Sequence, residues 1–298
     1  MYFGDDIIFN RLEEFKKTSE TLKEATLADT GRSAITETLL FVLEYNAVIM
    51  IMALFTIMIT SGVSEGSDTY TLLCLGAFIV AAILTLFFVT KIEKRSLRSM
   101  GFSRDNILSQ LVKGLVLGFA MFVIVVIIGM LIGEYSFEGF DLSSLSLAIP
   151  YIVAFIIQPF TEEIYTRGWI IPLFSKNYSV YLGVLVSVLF FVTGHIGNNG
   201  INVIGIINII IMGVLLAVLF LKCDNIWICG AVHSAWNFTQ SYLLGFNVSG
   251  FNTSALMHFT QKSPNIINGG AYGPEAGIIS TVITLLALIL IWKVDFNK

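Results

Sequence analysis

The sequence predicts an all-α fold, that of a polytopic membrane protein with about eight transmembrane helices. The chain has 298 residues, of which 56% are hydrophobic and only 13% are charged, whereas about 25% of the residues in a soluble domain are charged. Its mean hydropathy is +0.83. A spanning helix needs about 20 apolar residues, and eight stretches meet or nearly meet that length: residues 39–60, 71–90, 114–132, 147–174, 178–197, 202–221, 226–243 and 277–292.

The distribution of Lys and Arg predicts the orientation of these helices. With eight spans, every Lys and Arg except Lys262 falls on one set of alternating sides. The connections at residues 61–70, 133–146 and 198–201 contain none. Because basic residues concentrate on the cytoplasmic side of membrane proteins, we expect both termini to be cytoplasmic and the protein to be a multi-pass protein of the cell membrane.

This topology divides the chain into two parts. Residues 1–38 are predicted to be a cytoplasmic N-terminal helical segment, and residues 39–298 a transmembrane domain. The polar, helix-prone stretch at residues 5–29 fits either an amphipathic helix on the membrane surface or a solvated tail. The outer segment at residues 244–276 is long for a loop, and such loops are often lids or disordered. Within the third stretch, Gly114 and Gly118 are spaced for close helix packing.

Two glutamates and an arginine interrupt the fourth apolar stretch. A charged side chain at bilayer depth costs roughly 2.5–3.5 kcal/mol on insertion scales, so Glu162, Glu163 and Arg167 either satisfy one another or do chemistry. On a helix, Glu163 and Arg167 are four residues apart and face each other, while Glu162 is turned from Glu163 by about 100°. We therefore expect the Glu163–Arg167 pair to be structural or orienting and Glu162 to be free to act.

The histidines on the following apolar stretches suggest the chemistry. His195 ends the fifth stretch, and His233 and Asn237 share one helix face on the seventh. A carboxylate and a neutral imidazole can together hold and deprotonate a water molecule. A second histidine and an amide can donate to a developing oxyanion. Together with Glu162, these groups suit the hydrolysis of an amide bond.

The depth of these residues poses a geometric question. Counting about 1.5 Å per residue from the cytoplasmic helix ends places Glu162 and His195 at similar depth but His233 nearer the surface. Convergence then requires tilted helices, or a seventh helix that begins below the surface with residues 223–227 folded inward.

Three short motifs occur in order on successive apolar helices: EExxxR at Glu162, Glu163 and Arg167, FxxxH at Phe191 and His195, and HxxxN at His233 and Asn237. This set resembles the CPBP family of CAAX-processing and bacteriocin-processing intramembrane endopeptidases, also called the ABI or type II CAAX protease family. The resemblance covers about residues 147–243.

The resemblance implies a function and a set of site residues. In such proteins the first glutamate and the first histidine, here Glu162 and His195, activate the water, while His233 and Asn237 stabilise the oxyanion. We therefore expect an intramembrane endopeptidase that hydrolyses peptide bonds. The expected catalytic set is Glu162, Glu163, Arg167, His195, His233 and Asn237. No cofactor is expected, although a zinc ion bound by Glu162, His195 and His233 remains an alternative.

Other functions and the partners also follow from the sequence as expectations. A non-catalytic membrane scaffold or a bacteriocin-immunity protein could keep the same polar cluster for structural reasons, and a transporter or proton relay could use buried ionisable groups. The expected partners are a peptide or membrane-protein substrate and the lipid bilayer, with no nucleic acid. Residue usage suggests a prokaryotic source, which favours peptides over prenylated proteins as substrates. The sequence does not indicate an oligomeric state.

Overall fold

The structure is a multi-pass helical membrane protein, as predicted. The computed structural model describes residues 5–294, so the terminal residue Lys298, counted above among the cytoplasmic basic residues, lies outside the described part. The α-helices in this part are α1 Asp5–Thr18, α2 Glu20–Leu27, α3 Ala34–Thr60, α4 Asp68–Phe87, α5 Ile107–Leu131, α6 Ala148–Glu163, α7 Ile171–Asn177, α8 Val180–Thr193, α9 Val203–Cys223, α10 Ile226–Phe238 and α11 Ile278–Lys293.

Five helical segments between residues 5 and 294 are long and apolar enough to cross a membrane: Ala34–Thr60, Asp68–Ile92, Ile107–Leu131, Leu142–Asn177 and Val203–Cys223. The other predicted spans contain α8, α10 and α11, which have 14, 13 and 16 residues. Because helices of that length rise only about 20–24 Å at 1.5 Å per residue, the count of eight spans stays a prediction.

Two β-strands, which the all-α prediction did not include, lie outside the helices. Strands β1 (Tyr135–Phe140) and β2 (Met257–Gln261) pair antiparallel, with a register shift between Phe137 and Gly139. They join the connection after α5 to the long segment at residues 244–276. That segment is folded: it also contains two short 3₁₀ helices, and Tyr272 within it is only 1% exposed.

Helix α10 lies in close contact with α5 because the facing residues of α5 are glycines. A Cβ atom on Gly114 would come within 2.6 Å of the carbonyl oxygen of Ile228, and one on Gly118 within 2.2 Å of that of Val232. Larger residues cannot be accommodated at such distances without separating the helices. The predicted packing role of this glycine pair is confirmed, and it fixes the position of the helix that carries His233.

The N-terminal segment docks against the turn between α9 and α10 instead of extending into solvent. Asp224, in the turn between α9 and α10, accepts hydrogen bonds from the backbone N–H of Thr21 at 3.1 Å and from the Arg98 guanidinium at 2.5 Å. Burial alone would raise the pKa of Asp224, but hydrogen bonds from Ser19 and Arg98 hold that pKa below its usual range.

This docking answers the question of depth. Asn225 and Ile226, at the start of α10, are 2% and 0% exposed. The backbone N–H of Ile226 donates to the carbonyl of Gly101 at 2.9 Å. The seventh predicted span therefore begins below the protein surface, beside Gly101 and after Asp224, to which α2 is hydrogen-bonded. This places His233 at the level of the glutamates.

A buried arginine secures the helix that carries these glutamates. Between α6 and α7 the helix widens into a π-helix at Ile164–Ile170. Pro172 has no N–H with which to bind the carbonyl of Gly168, four residues earlier. Arg95 donates instead to the carbonyls of Gly168 and Trp169, at 3.1 and 3.2 Å. Glu93 balances its charge at 3.0 Å.

We predict that Arg95→Met strongly destabilises the fold. Removing one partner of a buried ion pair leaves the other charge uncompensated and typically costs about 3–5 kcal/mol, and here two carbonyl groups would also lose their donor. Thermal unfolding in detergent would measure the loss. Arg104→Met, at an exposed position, is the matched control and should change stability by less than about 0.5 kcal/mol. Similar small shifts for both variants would contradict this role for Arg95.

Candidate active site

The EExxxR motif lies where α6 passes into the π-helix. Glu162, Glu163 and Arg167 are 5%, 0% and 0% exposed. π-Helical segments inside α-helices are rare and frequently lie at functional sites. Here the wider turn follows the two glutamates directly, so the motif belongs to a locally irregular part of a long helix.

One carboxylate oxygen of Glu163 accepts hydrogen bonds from two side chains. Its Oε1 accepts from Nη1 of Arg167 at 3.1 Å and from Nδ1 of His233 at 2.9 Å. The predicted Glu163–Arg167 contact is therefore present, and His233 extends it to α10. Because a carboxylate only accepts hydrogen bonds, Nδ1 of His233 carries a hydrogen. Its other nitrogen, Nε2, lies 3.8 Å from Oε2 of Glu162.

Arg167 connects the motif to two further helices. It donates to the carbonyl of Gly213 on α9 at 3.1 Å and to the hydroxyl of Thr166 at 2.7 Å. Its guanidinium lies 4.6 Å above the ring centroid of Phe191 on α8, within the range of a cation–π interaction. The fully buried Arg167 thus binds α6, α8 and α9 together around Glu163.

Phe191, the first residue of the FxxxH motif, supports the two histidine rings of the site. Its ring centroid is 4.8 Å from that of His195 and 5.7 Å from that of His233, so both imidazoles pack against it. Its carbonyl is 2.7 Å from Nδ1 of His195. A carbonyl can only accept, so Nδ1 of His195 carries a hydrogen, and in a neutral ring Nε2 is then the lone-pair acceptor.

Glu162 and His195 line one cavity of about 210 Å³, together with Asn237. Oε2 of Glu162 is buried and has no hydrogen-bond partner within the described protein. A smaller adjoining cavity of about 40 Å³ is lined by His195, His233 and Asn237. The structure therefore brings Glu162, His195, His233 and Asn237 together, with Glu163 and Arg167 forming the layer behind them.

Three polar residues of this region were missed by the sequence analysis. Oε1 of Gln158 accepts from the Asn237 amide at 3.4 Å, and its position one helical turn before Glu162 could have identified it. Glu275 and Ser249 line the smaller cavity, and the Ser249 N–H donates to Glu275 at 2.5 Å. Burial raises the pKa of Glu275. No spacing in the long outer segment indicates these two residues.

The fit of a metal ion can be judged from the donors. Within the described residues, no group of three or more His, Cys, Asp and Glu side chains is arranged to hold a metal ion. In His195 and His233 a protein acceptor engages Nδ1, which leaves Nε2 for a water molecule or another ligand, an arrangement that metal-ligating histidines also show. Zinc binding by Glu162, His195 and His233 therefore stays an alternative, and the steps proposed below use no metal.

Comparison with known proteins confirms the resemblance suggested by the motifs. Residues 144–239 match the family model described as type II CAAX prenyl endopeptidase Rce1-like, and this segment contains all three motifs. No curated protein and no solved structure matches the chain. Over this segment the chain is similar to the type II CAAX protease family, whose model is described as that of a prenyl endopeptidase.

We predict that the two adjacent glutamates differ in their effect on stability. Glu163→Gln should lower the free energy of unfolding by about 3–5 kcal/mol, because it leaves the buried Arg167 without its counter-charge. Glu162→Gln should change it by less than about 1 kcal/mol, because the buried Oε2 of that carboxylate accepts no hydrogen bond from the described residues and Nε2 of His233 lies 3.8 Å from it. Thermal unfolding of both variants in detergent would measure this, and the reverse order would contradict the division of roles.

Proposed function

We propose that this protein is an intramembrane endopeptidase in which Glu162 and His195 activate a water molecule for attack on a peptide bond. One observation carries the proposal. A carboxylate with an unpaired oxygen and an imidazole with a free lone pair line the same cavity, and two hydrogen-bond donors stand beside them. Base, water-holding group and oxyanion donors together define a hydrolytic site.

The attacking water would donate to both acceptors. One of its hydrogens is directed to the Glu162 carboxylate and the other to Nε2 of His195, which leaves an oxygen lone pair for the substrate carbonyl carbon. As the C–O bond forms, Glu162 takes a proton. The tetrahedral intermediate then collapses, the C–N bond breaks, and the same carboxyl group returns the proton to the leaving amine.

The oxyanion would be stabilised from α10. Glu163 accepts the Nδ1–H of His233 and orients the ring, as a buried carboxylate orients the histidine of a serine protease; when both ring nitrogens carry hydrogens, Nε2–H would donate to the developing charge. Gln158 accepts one hydrogen of the Asn237 amide and leaves the second for the oxyanion. Donors oriented in advance are the largest contribution in many acyl-transfer sites.

The walls of the larger cavity favour internal bonds over chain ends. Among the described residues that line it there is no Lys or Arg to bind a terminal carboxylate, and four aromatic residues are present: Tyr70, Phe78, Phe155 and Phe251. Such walls suit an extended, uncharged peptide segment. A peptide or prenylated-protein substrate is the class that the family indicates, and we favour unmodified peptides or membrane-protein segments. The eight-span topology with cytoplasmic termini belongs to the same proposal.

We predict that the purified protein cleaves members of a fluorogenic peptide library and that Glu162→Gln and His195→Ala lose this activity. General acid–base catalysis contributes about 10²–10⁴-fold, so the rates should fall by at least that much. A chelator should leave wild-type cleavage unchanged. Loss on chelation that zinc restores would instead make these residues metal ligands, and equal activity of wild type and Glu162→Gln would favour the scaffold alternative.

We predict that Asn237→Ala lowers kcat by about 10²–10³-fold, as the loss of one oxyanion donor does elsewhere, with little change in KM. Asn198→Ala is the matched control, because it removes an amide that lines the same cavity away from α10. Its kcat should stay within about tenfold of wild type. Steady-state kinetics on one cleaved peptide would measure both, and equal effects would contradict the assignment of Asn237.

A further inference from the structure

The larger cavity has its rim at one end of the helical bundle. The rim is formed by three segments, the first turns of α4, the turn after α8 and part of the long segment before α11, with the lining residues Tyr70, Thr71, Cys74, Gly194, Asn198, Val248, Ser249, Phe251 and Thr253. Phe251 is 54% exposed there. From this rim the cavity descends along successive turns of α6, past Phe155 and Gln158, to Glu162.

The basic residues lie at the opposite end of the same helices. Arg32 precedes α3, Lys91 and Lys94 follow α4, and Lys222 ends α9, whereas the rim lies at the start of α4 and the end of α8. Among the residues from 5 to 294, Lys262, directly after β2, is the one Lys or Arg on the side of the rim. A short connection joins α3 to α4. The end of α3 and the start of α4 therefore lie on the side of the rim, and the start of α3 and the end of α4 lie on the basic side.

The end below the site is packed. Trp169 and Ile170, in the turn of helix that follows Arg167, are 0% exposed. Arg95 donates hydrogen bonds to the carbonyl groups of Gly168 and Trp169 in this turn. Helix α2 is hydrogen-bonded to Asp224, just before α10. In the described part of the chain, this layer separates Glu162 from the basic face, so a substrate reaches the site from the rim.

We infer that the catalytic cavity opens to the extracytoplasmic side of the membrane. Basic residues mark the cytoplasmic side of a membrane protein, and the rim is at the other end. Resting on the proposed function, the substrate is then an extended peptide segment presented from outside: a secreted peptide, or the outer juxtamembrane part of a membrane protein. The uncharged, partly aromatic rim suits such a segment.

Cysteine labelling in intact cells tests this sidedness. In a variant whose three cysteines are replaced by alanine, Phe251→Cys would place a thiol on the rim and Lys91→Cys one on the basic face, where both native side chains are exposed. Ile266→Cys, 60% exposed on the same outer segment, is a second rim position. We expect a membrane-impermeant maleimide to label both rim positions in intact cells and Lys91→Cys only after permeabilisation. The reverse pattern would overturn the inference.

A second measurement separates this inference from the proposed function. An impermeant fluorogenic peptide, selected from the library with purified protein, would be added to right-side-out and inverted vesicles that contain wild type or Glu162→Gln. We expect cleavage in right-side-out vesicles with wild type alone. Cleavage confined to inverted vesicles would overturn the sidedness and leave the peptidase proposal standing. If the rim positions are labelled from outside but wild type and Glu162→Gln cleave the peptide equally, the sidedness would stand and the peptidase proposal would be overturned.

Discussion

The whole site depends on one buried carboxylate oxygen, Oε1 of Glu163, which binds both Arg167 and His233. Removing charges from water is expensive, and a buried pair is stable only where geometry and further hydrogen bonds compensate. Here Arg167 also donates to Gly213 on α9 and lies over Phe191 on α8. One ionic centre therefore fixes α6, α8, α9 and α10 relative to one another, and His233 takes its place because of it.

The surrounding packing makes this centre attainable. Gly114 and Gly118 let α10 approach α5 closely, and α2 is hydrogen-bonded to Asp224, just before α10. Phe191 supports the rings of His195 and His233. With these side chains held in place, Glu162 lines the cavity, and its buried Oε2 accepts no hydrogen bond from the described part of the chain. This separation of a structural carboxylate from a free one is the physical basis of the proposed chemistry.

Much of this could be predicted from the sequence, since the evidence was local. The i,i+4 spacing placed Glu163 opposite Arg167 and His233 beside Asn237, and the glycine pair on α5 indicated close packing. The contact between Glu163 and His233 could not be predicted, because 70 residues separate them. Ser249 and Glu275 come from a segment without periodicity. The depth of His233 depended on the hydrogen bond from Ile226 to the carbonyl of Gly101, a contact between distant parts of the chain.

A double-mutant cycle on Glu163 and Arg167 would test the central claim most directly. Glu163→Met, Arg167→Met and the double variant would be unfolded thermally in detergent. The account predicts that the double variant is more stable than either single one, with a coupling of about 1–3 kcal/mol, because removing both charges removes the uncompensated one. Losses that simply add would contradict the claim that this ion pair organises the site.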